Sequence, residues 1–160
     1  MRCNIGKLYP EVLVFACNWD GWSCTEAAAN LGLNYPASVK VVKVSCLSRV
    51  HLGLILKAFQ FGADGVMLLG CEPGRCRFGA DSEHIINEYQ RARSILEMLG
   101  MSKGRLVLAQ LPAFDGRQFV RQVMSLIEEI EGIRALKHAG LMGLKPVPDV
   151  EVQPSLRLDI

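Results

Sequence analysis

Cysteine is the residue type of this chain whose number and spacing point to chemistry. Six cysteines occur in 160 residues, and residues 77–160 contain none. In a reducing cytosol, spaced cysteines are more typical of metal binding or redox chemistry than of structural disulfides. Cys3 lies in the N-terminal fringe, which leaves five candidate ligands: Cys17, Cys24, Cys46, Cys71 and Cys76.

The sharpest local motif is Cys71-Glu-Pro-Gly-Arg-Cys76. A Pro-Gly turn reverses the chain, so the two thiols can face one point. The spacing differs from the C-x2-C of zinc knuckles and bacterial ferredoxins, whereas C-x4-C occurs in plant-type [2Fe–2S] loops. Alone the motif is weak evidence for a metal site, and it becomes stronger in combination with the cysteines elsewhere in the chain.

Four short apolar runs are typical of buried parallel strands. Three of them end within two residues of a cysteine, at Cys17, Cys46 and Cys71, and the fourth ends at Gln110 without one. The runs are residues 12–16, 39–44, 65–69 and 105–109.

Helical patterns separate and follow these runs. Ser23 and Ser48 are predicted caps of the first two helices, and Asp115 of the fourth. Alternating strands and helices predict an α/β fold with an open parallel sheet, flavodoxin-like, of strand order 2-1-3-4. Since parallel strands lie about 4.8 Å apart and end at one edge, their terminal thiolates can share a small inorganic cluster.

Four interpretations of the cysteines compete. They are buried structural residues, a four-thiolate zinc site, a thiol–disulfide couple, or the ligands of an iron–sulfur cluster, which the strand-end positions favour. Cys24 offers a further thiolate from the first turn of the first helix, where the helix dipole favours negative charge. Three arginines near the motifs are predicted to offset cluster charge: Arg49, Arg75 and Arg77.

The motifs together resemble the delta subunit of methyl-viologen-reducing hydrogenase, an iron–sulfur protein that is associated with heterodisulfide reductase. The resemblance implies a flavodoxin-like fold with one [2Fe–2S] cluster, whose ligands map to Cys17, Cys46, Cys71 and Cys76 plus a cysteine just after the Cys-Asn-Trp motif. It also implies electron transfer between a partner oxidoreductase, of hydrogenase or formate dehydrogenase type, and a heterodisulfide reductase A-like flavoprotein, with no substrate of its own. It rests on Cys17-Asn18-Trp19, Tyr35-Pro36, Val44-Ser45-Cys46, Arg49-Val50, Ala58-Phe59, residues 62–66, and Gly70-Cys71 with Gly74 and Cys76.

The chain departs from the family pattern at two places. The family has Cys-Asn-Trp-Cys, and Asp20 stands at the last position here. Cys24 supplies the missing thiolate, or Asp20 serves as an oxygen ligand, or four cysteines suffice. In the second motif Glu72, Arg75 and Arg77 replace the two histidines and the aspartate of the family pattern. The loss of the first cysteine motivates an alternative function, a cluster-free or zinc-stabilised scaffold module of an oxidoreductase complex.

The composition of the chain and its C-terminal residues allow predictions of its general class, localisation and domain organisation. Half of the residues are hydrophobic and the net charge is +2, which favours a folded domain and argues against nucleic acid as the main partner. The absence of a long apolar run predicts a cytoplasmic protein without membrane insertion. An iron–sulfur domain is expected over residues 1–131. A helix and extended tail over residues 132–160 are expected to dock on a partner.

Overall fold

The computed structural model describes residues 9–79 and 82–138. In that part of the chain, strands and helices alternate, and two short 3₁₀ turns at Leu47–Arg49 and Lys103–Arg105 join them. The elements are β1 (Val12–Cys17), α1 (Asp20–Asn30), β2 (Val39–Val44), α2 (Leu52–Gln60), β3 (Gly65–Cys71), α3 (Ser82–Met98), β4 (Leu106–Leu111) and α4 (Gly116–His138).

The strands form one parallel sheet in the order β2-β1-β3-β4. The predicted α/β class and strand order are therefore confirmed. The register pairs Cys17 with Val44 and Cys71 with Leu111, so the carboxyl ends of the strands lie level. This common edge is where open α/β sheets bind ligands.

The helices cover the sheet on two sides. One face is packed by α1 and α4, and its core includes Phe119 and Ile130, both fully buried. The other face is packed by α2 and α3, with Ile55 and Leu96 fully buried. We call these the α1/α4 face and the α2/α3 face; each strand side chain belongs to one or the other because successive residues alternate across the sheet.

Two of the predicted helix caps are wrong. Helix α1 begins at Asp20, so Ser23 lies inside its first turn, where its hydroxyl donates to the Asp20 carbonyl. Ser48 lies in the 3₁₀ turn before α2, which begins only at Leu52. The loop before α1 is therefore shorter, and the loop before α2 longer, than the positions of the two serines suggest.

Other side chains stabilise the helix starts. The Glu88 carboxylate, on α3, accepts a hydrogen bond of 2.7 Å from the Leu52 N–H and so caps α2 from a distance of 36 residues along the chain. The predicted cap of α4 is confirmed, since Asp115 Oδ1 accepts from the Gln118 N–H at 2.9 Å.

Helix α4 continues past the domain boundary predicted between residues 131 and 132 and runs to His138. Arg134 on this extension forms an ion pair of 2.6 Å with Asp64, which holds it against the start of β3. The predicted tail from residue 139 onward lies outside the described residues. Among the helices of the described part, none is both long enough and apolar enough to cross a membrane.

Candidate metal centre

A pocket opens at the carboxyl edge of the sheet, on the α2/α3 face. Its empty volume is about 370 Å³, which includes solvent at the mouth. Four of the five predicted ligands reach it. The lining residues are Cys17, Cys46, Leu47, Ser48, Gly70, Cys71, Glu72, Cys76, Ile85 and Gln110.

Gly70 makes room for this pocket in the middle of the sheet. It lies beside Gln110 of β4 in the register, and one position beyond the Ala16–Leu69 pair that joins β3 to β1. A Cβ atom at Gly70 would lie 2.6 Å from Leu47 Cδ1. A side chain there would therefore occupy the space between Cys17 and Gln110.

The four thiols in the pocket form two close pairs. Cys17 Sγ lies 3.5 Å from Cys71 Sγ, and Cys46 Sγ lies 3.7 Å from Cys76 Sγ. The cysteines of both pairs are free thiols. Two sulfurs on one tetrahedral metal, at a metal–sulfur distance of about 2.3 Å, are about 3.8 Å apart. Each pair therefore has the spacing of two ligands on a common metal ion.

The first turn of α1 points backbone amides at the deeper pair. The Gly21 N–H donates to Cys17 Sγ at 3.2 Å, and the backbone N–H of Asp20 acts to lower the pKa of the Cys71 thiol. A Cβ atom at Gly21 would lie 2.5 Å from the Leu69 carbonyl oxygen, so the helix can approach this closely only with glycine there. These amides and the helix dipole favour negative charge on the sulfurs.

The pocket sulfurs differ in acidity. Burial raises the pKa of the Cys71 thiol to about 12, and the neighbouring Cys17 adds to the rise. Burial also acts to raise the pKa of the Cys46 thiol, but hydrogen bonds from Ser48, Cys76 and the Leu47 N–H outweigh it and leave that pKa below its ordinary value. Proton loss at Cys71 thus requires a strong compensating charge, which a bound metal supplies.

Cys24, the fifth predicted ligand, lies elsewhere. Its side chain is fully buried in the α1/α4 core, and its thiol donates to the Pro112 carbonyl at 3.2 Å. Burial raises the pKa of this thiol to about 11. The structure therefore brings four cysteines together and leaves Cys24 outside the pocket lining.

The three predicted charge-balancing arginines are exposed near the pocket and do not line it. Arg75 forms an ion pair of 3.6 Å with Glu72. The Arg77 guanidinium stacks 4.2 Å from the centre of the Trp19 ring. Arg49 ends the 3₁₀ turn that follows Cys46. Asp20, the alternative oxygen ligand, acts on the Cys71 thiol in two ways, since its backbone N–H lowers the pKa of that thiol and its negative charge raises it.

Sequence reasoning missed three residues of the site. The sequence shows Gly70 only as part of a motif, and its role depends on Leu47 crossing above it. Gln110 marks the end of the strand without a cysteine, although a polar residue within an apolar run is itself a signal. Ser48 has the residue type of a helix cap, and it instead hydrogen-bonds to the Cys46 sulfur.

The donor set fits a thiolate-bound centre with two metal ions. Two close sulfur pairs face one pocket, and backbone N–H groups are directed at the sulfurs. Within the described residues, no group of three or more His, Cys, Asp and Glu side chains could hold one metal ion. The two pairs, with two sulfurs in each, match the ligand number of a centre with two metal ions.

The fold and the site define a class of protein: a flavodoxin-like α/β domain with thiols gathered at the carboxyl edge of its sheet. Residues 12–134 match the model of the methyl-viologen-reducing hydrogenase, delta subunit, family. The chain belongs to this family, as its motifs suggested.

Curated relatives are of two kinds. The iron-sulfur subunit of the vhc F420-non-reducing hydrogenase of Methanococcus voltae is 30% identical over 78% of this chain and 86% of its own length. The iron-sulfur subunit of an F420-non-reducing hydrogenase of Archaeoglobus profundus is 32% identical over 69% of this chain and 80% of its own. The A-type subunit of the ferredoxin:CoB-CoM heterodisulfide reductase of Methanosarcina mazei is 26% identical over 78% of this chain, which spans only 16% of that protein.

Proposed function

We propose that this chain is an electron-transfer subunit that carries one [2Fe–2S] cluster on Cys17, Cys46, Cys71 and Cys76. The observation that carries the proposal is the pairing of the four sulfurs, at 3.5 and 3.7 Å, in one pocket. A [2Fe–2S] cluster has two irons and needs two protein thiolates on each. The cluster, when bound, takes up and releases one electron at a time.

Residues in and around the pocket would hold this centre and tune its reduction potential. Backbone N–H groups of Asp20 and Gly21 stabilise negative charge on Cys71 and Cys17, and Ser48 does so on Cys46. Donors to cluster sulfur and nearby positive charge favour the reduced, more negative state. Arg49, Arg75 and Arg77 add positive charge around the mouth of the pocket, as predicted from the sequence.

For partners, we propose a heterodisulfide reductase A-like flavoprotein and a second oxidoreductase subunit of hydrogenase or formate dehydrogenase type. Support comes from the two kinds of relative, a separate iron-sulfur subunit of hydrogenases and a stretch of a much longer heterodisulfide reductase subunit. A domain found both as a free subunit and within a larger redox protein suits an electron relay between subunits.

Metal and sulfide analysis tests the proposal. The full chain is purified under anaerobic conditions, or reconstituted with ferrous iron and sulfide, and iron, zinc and acid-labile sulfide are measured per chain. We expect two irons, two sulfides, visible thiolate-to-iron absorption, and a paramagnetic signal after one-electron reduction. Cys46→Ser and Cys71→Ser should lose most of the iron and the colour.

Cys24→Ser is the matched control, because Cys24 is a buried free cysteine near this edge but lies outside the pocket lining. It should keep full iron and sulfide. One zinc per chain without sulfide, or no metal at all, would select the scaffold function and end the electron-transfer proposal. A gain of two titratable thiols on mild reduction would select the thiol–disulfide couple.

A further inference from the structure

Gln110 occupies the position opposite Cys17 across the pocket. It pairs with Gly70 in the register of the sheet, and Cys17 flanks Gly70 on the other side. Both side chains line the pocket, and Gly70, which has no side chain, lies between them in the sheet. Two strand spacings, about 10 Å, separate the two backbones at this level.

Gln110 is the polar residue of an otherwise apolar strand, Leu-Val-Leu-Ala-Gln-Leu. Its side chain is half-buried. Among the described residues, no hydrogen bond to its side-chain amide is present. The amide is therefore available to a group bound in the pocket that Gln110 lines, which can take the place of solvent as its partner.

We propose that the Gln110 side-chain amide donates a hydrogen bond to a sulfur of the metal centre and sets its reduction potential. The inference rests on the proposed function, since it requires a sulfur-rich centre in the pocket. Gln110 is a positioning residue in this role, because the four cysteines already supply the ligands. It is the neutral donor contributed by β4, which has no cysteine within two residues of its end.

The direction of the effect follows from charge. Reduction adds an electron, so a donated hydrogen bond stabilises the reduced state more than the oxidised state and raises the potential. Loss of the donor lowers the potential. A carboxylate at the same position removes the donor and adds a negative charge, which lowers the potential further.

Redox titration of three variants tests this. Gln110→Leu keeps the approximate size but removes the donor, and Gln110→Glu is isosteric and negative. Gln60→Leu, at the exposed end of α2 and outside the pocket lining, is the matched control. For Gln110→Leu we expect about a tenfold shift of the oxidised-to-reduced ratio toward the oxidised form at fixed potential. For a one-electron couple that is about 59 mV.

Gln110→Glu should shift in the same direction by at least as much, and Gln60→Leu should match the unchanged protein. Equal potentials for Gln110→Leu and the unchanged protein, both with full iron and sulfide, would overturn the inference and leave the proposed function intact. If the unchanged protein binds no iron and sulfide, the proposed function fails and the inference falls with it.

A second measurement needs no variant at this position. Pulsed electron paramagnetic resonance of the reduced protein, with ¹⁵N in the glutamine side-chain amides, detects nitrogen nuclei near the cluster. A coupling that persists in Gln60→Leu supports the inference. Its absence in fully loaded protein overturns the inference, even if Gln110→Leu itself fails to bind iron.

Discussion

The two faces of the sheet each bury a cysteine near the same edge, and they use it differently. On the α2/α3 face, Cys17 lines an open pocket and lies 3.5 Å from a second sulfur. On the α1/α4 face, Cys24 is packed among apolar side chains and its thiol is bound to the Pro112 carbonyl. Residue type alone therefore does not bring a cysteine into the pocket; the face of the sheet on which its side chain lies decides.

A glycine on each face explains the difference. Gly70 leaves a gap in the sheet surface, which becomes the floor of the pocket. Gly116, at the start of α4, instead allows close backbone approach, because a Cβ atom there would collide with the backbone nitrogen of Ala28 and lie 2.8 Å from Ala27 C. Gly70 thus leaves space for a pocket, whereas Gly116 lets α4 pack closely against α1.

The largest effect is expected from filling the open face. Gly70→Val places a β-branched side chain over the pocket floor, between Cys17 and Gln110. The nearest obstacle is the tip of Leu47, which can move, and valine is well suited to a strand, so the fold should persist. We expect iron and sulfide per chain to fall at least tenfold, with an unchanged far-ultraviolet circular dichroism spectrum.

Gly65→Val, at the other end of the same strand, is the control. A Cβ atom there also meets the tip of a flexible side chain, Ile130, but far from the pocket. Gly65→Val should lower the free energy of unfolding by about 1–3 kcal/mol, a loss similar to that of Gly70→Val, and should keep its iron. Equal iron loss in both variants would show that general loosening of the fold, and not occupation of the pocket, is what lowers the iron content.

This contrast also explains what the sequence could predict. The four strands and their order follow from apolar runs that end in loops, and the convergence of Cys17, Cys46 and Cys71 follows from the shared edge of parallel strands. Cys76 follows from the turn after Cys71. These are local patterns combined with one topological rule.

The remaining features depend on contacts between distant segments. The exclusion of Cys24 depends on α1 beginning at Asp20, three residues before the predicted cap, which turns the thiol toward Pro112. The cap on α2 comes from Glu88, 36 residues further along the chain. The hydrophobic pattern of a single segment does not predict contacts with a distant segment, so these two contacts are seen only in the folded chain.

An intermediate effect is expected from separating the helices of the closed face. Gly116→Ala forces a methyl group against the backbone of α1, which cannot yield as a side-chain tip does. We expect a loss of about 1–3 kcal/mol in the free energy of unfolding by urea. Iron content should stay at the level of the unchanged protein, because the pocket lies on the opposite face.

Gly132→Ala, on the same helix, is the matched control, since nothing lies within 4 Å of a Cβ atom there. Its higher helix propensity should stabilise the chain by about 0.5–1 kcal/mol. If Gly116→Ala lost iron in proportion to its loss of stability, packing on the α1/α4 face would affect metal binding on the other face. The two faces would then not be independent.

The smallest effect concerns the acidity of Cys24, and it tests whether this thiol is buried on the α1/α4 face. Burial raises the pKa of this thiol from 9.0 to about 11 in the folded chain. Between those two pH values the unfolded chain releases the proton while the folded chain keeps it. The folded state then binds more protons, so stability falls as pH rises through this window and is unaffected by this group below pH 9.

Urea unfolding of the full chain and of Cys24→Ala, in reducing buffer at pH 8 and pH 10.5, measures this contribution. Every other titrating group is shared, so the difference between the two proteins isolates Cys24. We expect the unchanged protein to lose on the order of 1 kcal/mol more than Cys24→Ala over this range, once solvent screening is allowed for. An identical pH dependence of the two proteins would mean that this thiol ionises as freely in the folded chain as in the unfolded one. Cys24 would then be open to solvent, and its burial in the α1/α4 core, on which the closed side of the comparison depends, would be wrong.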